Sequence, residues 1–180
     1  MYNIAMYLIS LYFDDKTNRT IYHLMKCAAE KSGNTDMTDR HVPPHITLTA
    51  FDSREREEDL IERLDFAFDK LQKINLTWVS VAAFFPQVLY LMPVLNQNLH
   101  EFSVEISQAL ECCDDTKIRE CYKPFGWLPH TTVARKLSEE QMQAAFAALQ
   151  ASFAPFEGTV VRVGLSAGSP KREIKTWDLV

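Results

Sequence analysis

One short string of residues occurs twice in this chain. Pro44-His45-Ile46-Thr47-Leu48-Thr49 and Pro129-His130-Thr131-Thr132-Val133-Ala134 share a proline, a histidine, a variable residue, a threonine and an aliphatic residue, with the two histidines 85 positions apart. The surroundings of the two copies also match. Residues 1 to about 85 read as strand, helix, motif strand, helix, strand, and residues from about 88 to 180 repeat that order with one strand added. A repeat of this length is a structural duplication, and two packed copies are related by a pseudo-twofold axis. The expected fold is α+β, a single bilobal domain of two β-α-β-α-β halves (about 1–85 and about 88–180). Two mainly antiparallel sheets are expected to face a central cleft, with helices outside.

The elements follow from local chemistry. Residues 4–13 are apolar and rich in aromatic and β-branched types, which suits a strand. Asp14 and Asp15 can cap a helix whose apolar stripe is Ile21, Leu24, Met25 and Ala28, and Gly33 suits its C-terminal end. A polar loop over 34–44 leads to the first motif strand. Asp52 and Ser53 are cap candidates for a helix over 54–72 with Leu60, Ile61, Leu64, Phe68 and Leu71 inward. Strands are expected over 74–85 and 88–91, the latter ended by Pro93, then a helix running to about residue 113 and a charged loop over 114–123. Ser138-Glu139-Glu140-Gln141 is a capping box after the second motif, and Pro155 stops that helix. Strands over 159–165 and 173–179, joined by a turn at 167–170, complete the chain.

Side chains on a strand alternate between faces. His45, Thr47 and Thr49 therefore share one face of the first motif strand, and Ile46, Leu48 and Ala50 the other. The same parity puts His130 with Thr132. It puts Thr131 on the inward face, where a hydroxyl needs a partner, and Arg135 on the face opposite His130.

Imidazole titrates near neutral pH, so two histidines facing one phosphate can divide the work. The neutral ring removes a proton from water and the protonated ring gives one to a departing ribose oxygen. Two threonine hydroxyls can donate to the non-bridging oxygens as charge shifts onto them. No carboxylate cluster on the motif strands suggests magnesium, so neither metal nor cofactor is expected.

His45-Ile46-Thr47-Leu48 and His130-Thr131-Thr132-Val133, within duplicated halves, resemble the paired HxTx motifs of the two-histidine (2H) phosphoesterase superfamily. Within it the chain is similar to the 2′-5′ RNA ligases, which act as RNA 2′,3′-cyclic phosphodiesterases. Ala134-Arg135 extends the second copy as in the bacterial branch. The resemblance implies hydrolysis of a 2′,3′-cyclic phosphate to a 2′-phosphomonoester, with the reverse 2′-5′ ligation as a companion reaction. It makes His45 the proton donor and His130 the proton acceptor, with Thr47, Thr132 and Arg135 holding phosphate. The residues alone leave the donor and acceptor interchangeable. Two other readings are a 2′-5′ oligonucleotide phosphodiesterase and a non-catalytic module that binds a nucleotide or RNA end.

Composition narrows the partners. A net charge of −5 argues against coating long nucleic acid but leaves room for one phosphate, so an RNA 3′ end or small cyclic nucleotide is the expected substrate and DNA is not. No apolar run nears the roughly 18 residues of a membrane span. Residues 1–3 do not begin a leader, and a cytoplasmic monomer with reduced Cys27, Cys112, Cys113 and Cys121 is expected. His23, His41 and His100 read as surface residues. Tyr90, Phe125 and Trp127 read as core or cleft wall, with stacking on a base as the alternative.

Overall fold

Everything in the sheet is hydrogen-bonded outward from one long strand near the end of the chain. The computed structural model describes residues 4–68, 71–168 and 171–180. Its strands are β1 (Ala5–Phe13), β2 (His45–Ser53), β3 (Ile74–Phe84), β4 (Val88–Pro93), β5 (Thr116–Ile118), β6 (Thr131–Ala134), β7 (Phe156–Ala167) and β8 (Arg172–Asp178). The helices are α1 (Asp15–Ser32), α2 (Asp36–Asp39), α3 (Glu57–Phe68), α4 (Gln97–Glu111) and α5 (Glu139–Ser152). β7 is rich in valine, which suits a pleated, buried position.

One side of β7 pairs with β1. The other side is shared: Phe156–Val160 pair with β3, and Arg162–Ala167 pair with β8. The path runs β5-β2-β1-β7-β3-β4-β6, with β8 also on β7, and every neighbouring pair is antiparallel. The expected pair of sheets is thus one continuous hydrogen-bonded sheet with two wings joined through β7.

The duplication is visible in the pairing. Exchanging β1 with β4, β2 with β6 and β3 with β7 turns each ladder into another: β1–β2 into β4–β6, and β1–β7 into β4–β3. The helices obey the same exchange, because α1 packs on α5 and α3 on α4. The wings do not follow the halves of the sequence. α1 and α5 pack near β3, β4, β6 and β7, whereas α4 packs on β2 and β5, and Asp65 of α3 accepts from Lys175 and Trp177 of β8.

Local signals explain most boundaries. Asp14 Oδ1 accepts from the Thr17 amide at 2.7 Å, and Gly33 closes α1 with φ of 69° and an amide bond to Ala29 O at 2.8 Å. The capping box on α5 forms, with Ser138 Oγ accepting from the Gln141 amide and Gln141 Oε1 from the Ser138 amide. α3 begins later than the expected residue 54. β2 continues through Asp52 and Ser53, which pair with β5; Ser53 Oγ bonds Thr116 Oγ1 at 2.7 Å and accepts from the Glu55 amide at 3.1 Å, in a turn ahead of the helix start at Glu57. That edge strand falls in the stretch expected to be loop. Residues 69–70, in the last part of the expected 54–72 helix, residues 169–170 of the expected turn, and residues 1–3 lie outside the described residues.

Beneath the sheet is one core. Ile9, Leu11, Ile46, Leu48, Phe51, Trp78, Leu89, Leu91, Val163 and Leu165 are all fully buried in it. Each such side chain contributes about 1.5–3 kcal/mol by leaving water. Thr131 lies in this core at 0% exposure, and the partner its hydroxyl requires is the indole N–H of Trp78, which donates to it at 3.2 Å. Thr131→Val keeps the shape but strands that buried N–H. A loss of about 1–3 kcal/mol in urea unfolding is expected, and an unchanged midpoint would rule out this pairing as a stabilising contact.

Candidate active site

The proline of each motif sets up its histidine. A residue before proline is confined to extended backbone. That residue is Pro43 in the first copy and Leu128 in the second, and each presents its carbonyl to the imidazole two positions on. His45 Nδ1 lies 2.7 Å from Pro43 O, and His130 Nδ1 lies 2.9 Å from Leu128 O. A carbonyl can only accept, so both Nδ1 atoms carry hydrogen. Both Nε2 atoms are then left to accept a proton or, once charged, to donate one.

The motif strands approach each other without pairing. Cα atoms of β2 and β6 come within 8 Å. The Trp127 indole N–H, just ahead of the second motif, donates to Thr47 O at 3.1 Å and ties the two together. Ile46 and Leu48 are 0% and 1% exposed, whereas His45, Thr47, His130 and Thr132 keep partial exposure on the other face. The alternation expected for these four residues is the one observed.

It fails just past the fourth motif residue, in both copies and for one reason. Ile9 pairs with Thr49 and Ser10 with Thr47, so Leu48 is an extra residue in β2. Leu89 pairs with Ala134 and Tyr90 with Thr132, so Val133 is an extra residue in β6. Each is a β-bulge, which re-aims the side chains beyond it. Thr49, expected beside His45, is instead buried at 2% exposure, and its hydroxyl has no hydrogen-bond partner among the described residues. In β6, Val133 and Ala134 are both buried, and the doubled inward step returns Arg135 to the parity of His130. The expectation that Arg135 lies on the opposite face is corrected by the bulge.

Arg135 is nevertheless engaged elsewhere. Its Nε donates to Asp36 Oδ2 at 2.7 Å, and Lys136 Nζ donates to Asp36 Oδ1 at 2.9 Å. Bonds from Lys136 and Arg135 push the Asp36 carboxyl down to about 2. Asn34 Nδ2 donates to Lys136 O at 3.1 Å. The polar loop before the first motif is therefore anchored to the strand end of the second.

Loss of water around the imidazoles pushes both their pKa values down, His45 to about 4. The Pro43 carbonyl opposes this at His45, while the charges of Lys171, His130 and Arg135 reinforce it. The Leu128 carbonyl likewise opposes it at His130. Without ligand, burial favours the neutral form of both rings.

The rest of the surroundings includes residues that alternation did not single out. Tyr12 stands directly across from His45 in the β1–β2 ladder, ring centroids 6.3 Å apart. Tyr122 stands near Thr47. Phe84 and Tyr90 meet the His130 ring edge to face at 4.9 and 5.4 Å. Tyr90 and Trp127 are buried, as expected of a wall, but Phe125 is 90% exposed, because its backbone turns at φ of 67°. His23 and His41 are exposed, and His100 lies against Phe125 with centroids 4.8 Å apart. The four cysteines are free thiols. Among the described residues no group of three or more His, Cys, Asp or Glu could hold a metal, and no helix is long and apolar enough to cross a membrane.

Known proteins share this architecture. Escherichia coli LigT solved with 3′-AMP superposes with a TM-score of 0.65 at 16% identity, over 99% of each chain. A structure described only as a phosphoesterase gives 0.63 at 18% identity, over 98% of this chain and 99% of that one. TT0787 of Thermus thermophilus gives 0.57 at 13% identity, over 97% of each. No curated protein matches the chain by sequence. The model of the 2′-5′ RNA ligase superfamily matches residues 19–169. With most of its length matched and two HxTx strands in the arrangement described, the chain belongs to the 2′-5′ RNA ligase superfamily of two-histidine phosphoesterases.

Proposed function

We propose that this protein is a phosphodiesterase that opens a 2′,3′-cyclic phosphate, at an RNA 3′ end or in a small nucleotide, to a 2′-phosphomonoester. The observation that carries the reading is the twin Nδ1–H bond to a backbone carbonyl, which gives both histidines the same tautomer on neighbouring strands. Membership of a phosphoesterase superfamily supports it. So does the shared fold with LigT, which has been solved with 3′-AMP, with phosphate and with ATP.

In the proposed reaction His130 Nε2 takes a proton from water as the water oxygen bonds to phosphorus. The bond from phosphorus to O3′ breaks, and protonated His45 gives its proton to O3′. Thr47 and Thr132 donate hydrogen bonds to the non-bridging oxygens, where charge grows. These proton transfers and hydrogen bonds make the mechanism independent of a metal. A resting His45 with a pKa of about 4 is a poor donor at neutral pH. The substrate's anionic phosphate changes that, because a negative charge beside an imidazole favours the protonated form.

His45→Ala and His130→Ala should each lower kcat on 2′,3′-cyclic AMP by about 10²–10⁴-fold with circular dichroism unchanged. Full activity in both variants would overturn the two-histidine mechanism. Thr132→Val should cost about 10²-fold in kcat, and the checking measurement is the same steady-state assay. NMR titration should find the His45 midpoint near 4 in the free protein and higher in saturating inorganic phosphate. A midpoint that stays fixed or falls would mean that phosphate does not sit beside His45.

A further inference from the structure

Lys171 stands in the connection between β7 and β8 and is aimed back at the first motif. Its ammonium donates to the Tyr12 hydroxyl at 3.0 Å and lies 5.5 Å from the centroid of that ring. Tyr12 is the residue opposite His45. The ring is accommodated by Gly164, where a Cβ would fall 2.8 Å from Tyr12 Cε2. Tyr12 also walls a cleft of about 530 Å³ that Pro43, Arg162 and Glu173 border.

Among the described residues, what distinguishes Lys171 from its basic neighbours is its lack of a carboxylate. Arg135 and Lys136 are paired with Asp36, Arg162 with Asp178, Arg172 with Glu57, and Lys175 with Asp65. Among the described residues Lys171 has no such pair, and its only hydrogen bond is to the Tyr12 hydroxyl. A phenol positions an ammonium without neutralising it. Lys171 is exposed and its field reaches His45, where it outweighs those of His130 and Arg135.

We infer that Lys171, steadied by Tyr12, is the cation that binds the substrate's phosphate on the His45 side, the part that the family resemblance implies for Arg135. Arg135 instead fastens the loop carrying Asp36 to the second motif. A lysine suits the task because an ammonium is a compact charge on a flexible stem and can follow a phosphate as its geometry changes. The inference builds on the phosphodiesterase reading for the substrate, but its core, a phosphate-binding ammonium, can be tested without turnover.

The test compares Lys171→Gln, Lys171→Arg and Tyr12→Phe with the wild type in two assays. One is turnover of 2′,3′-cyclic AMP. The other is binding of inorganic phosphate, followed by NMR through the His45 and His130 ring signals. Lys171→Gln should weaken phosphate binding and raise KM by about tenfold, the scale of one charge-assisted hydrogen bond. Lys171→Arg should stay within about threefold of wild type, and Tyr12→Phe should fall between the two. In free Lys171→Gln the His45 midpoint should rise, since a nearby positive charge has been removed. Unchanged phosphate affinity and KM in Lys171→Gln, with His45→Ala inactive, would overturn the role of Lys171 and leave the enzyme reading intact. A wild type inactive on every cyclic phosphate would overturn the enzyme reading, and the phosphate titration would still decide Lys171.

Discussion

The site depends on one hydrogen bond made twice, from an imidazole Nδ1–H to the carbonyl two residues earlier. It removes the tautomeric freedom of each histidine and points each reactive nitrogen away from its own backbone. The proline between the two partners fixes its own φ and restrains the residue before it, so the carbonyl is placed by covalent geometry with no help from a distant side chain. A catalytic group oriented by its own segment needs only that the segment be held. Trp127, reaching from one motif approach to the strand of the other, does that holding.

Duplication then does for the pair what proline does for each member. The ladders and helix contacts exchange under the same twofold relation, so the two histidines inherit matched surroundings from the fold. The departures from symmetry lie outside the motifs. β5 and β8 have no counterparts in the exchange, and β8 brings the segment carrying Lys171 to the His45 side alone. Two otherwise similar imidazoles thereby become distinct, because the Lys171 ammonium reaches the ring opposite His45.

How much of this could be read from the residues depends on which rule governs each position. Period two put His45, Thr47, His130 and Thr132 on the half-exposed face, where they lie, because it is a property of any extended strand. It failed at Thr49 and Arg135 because a bulge is a feature of the ladder between two strands, set by the partner's register and invisible within either strand. Caps at Asp14, Gly33 and Ser138 were legible because their chemistry is local. The Ser53 cap was not realised, because β5, a three-residue strand too short to show a pattern, keeps that serine within β2. Tyr12, Tyr122 and Lys171 carry no signal in the sequence because each comes near the motif strands through a long-range contact. No spacing in the chain announces that Lys171 lies against Tyr12, 159 positions away.

The strand common to both wings has a mechanical consequence. A cleft between independent lobes can widen by rotation about a hinge, but here the two flanks of the site are continuous with one backbone segment that is bonded on both edges. Spreading the histidines apart would require shearing a ladder along its length. The separation of the two histidines is therefore a property of the frame. Any adaptation to occupants of different size falls to the peripheral loops, and the gap between the two histidines behaves as a fixed gauge.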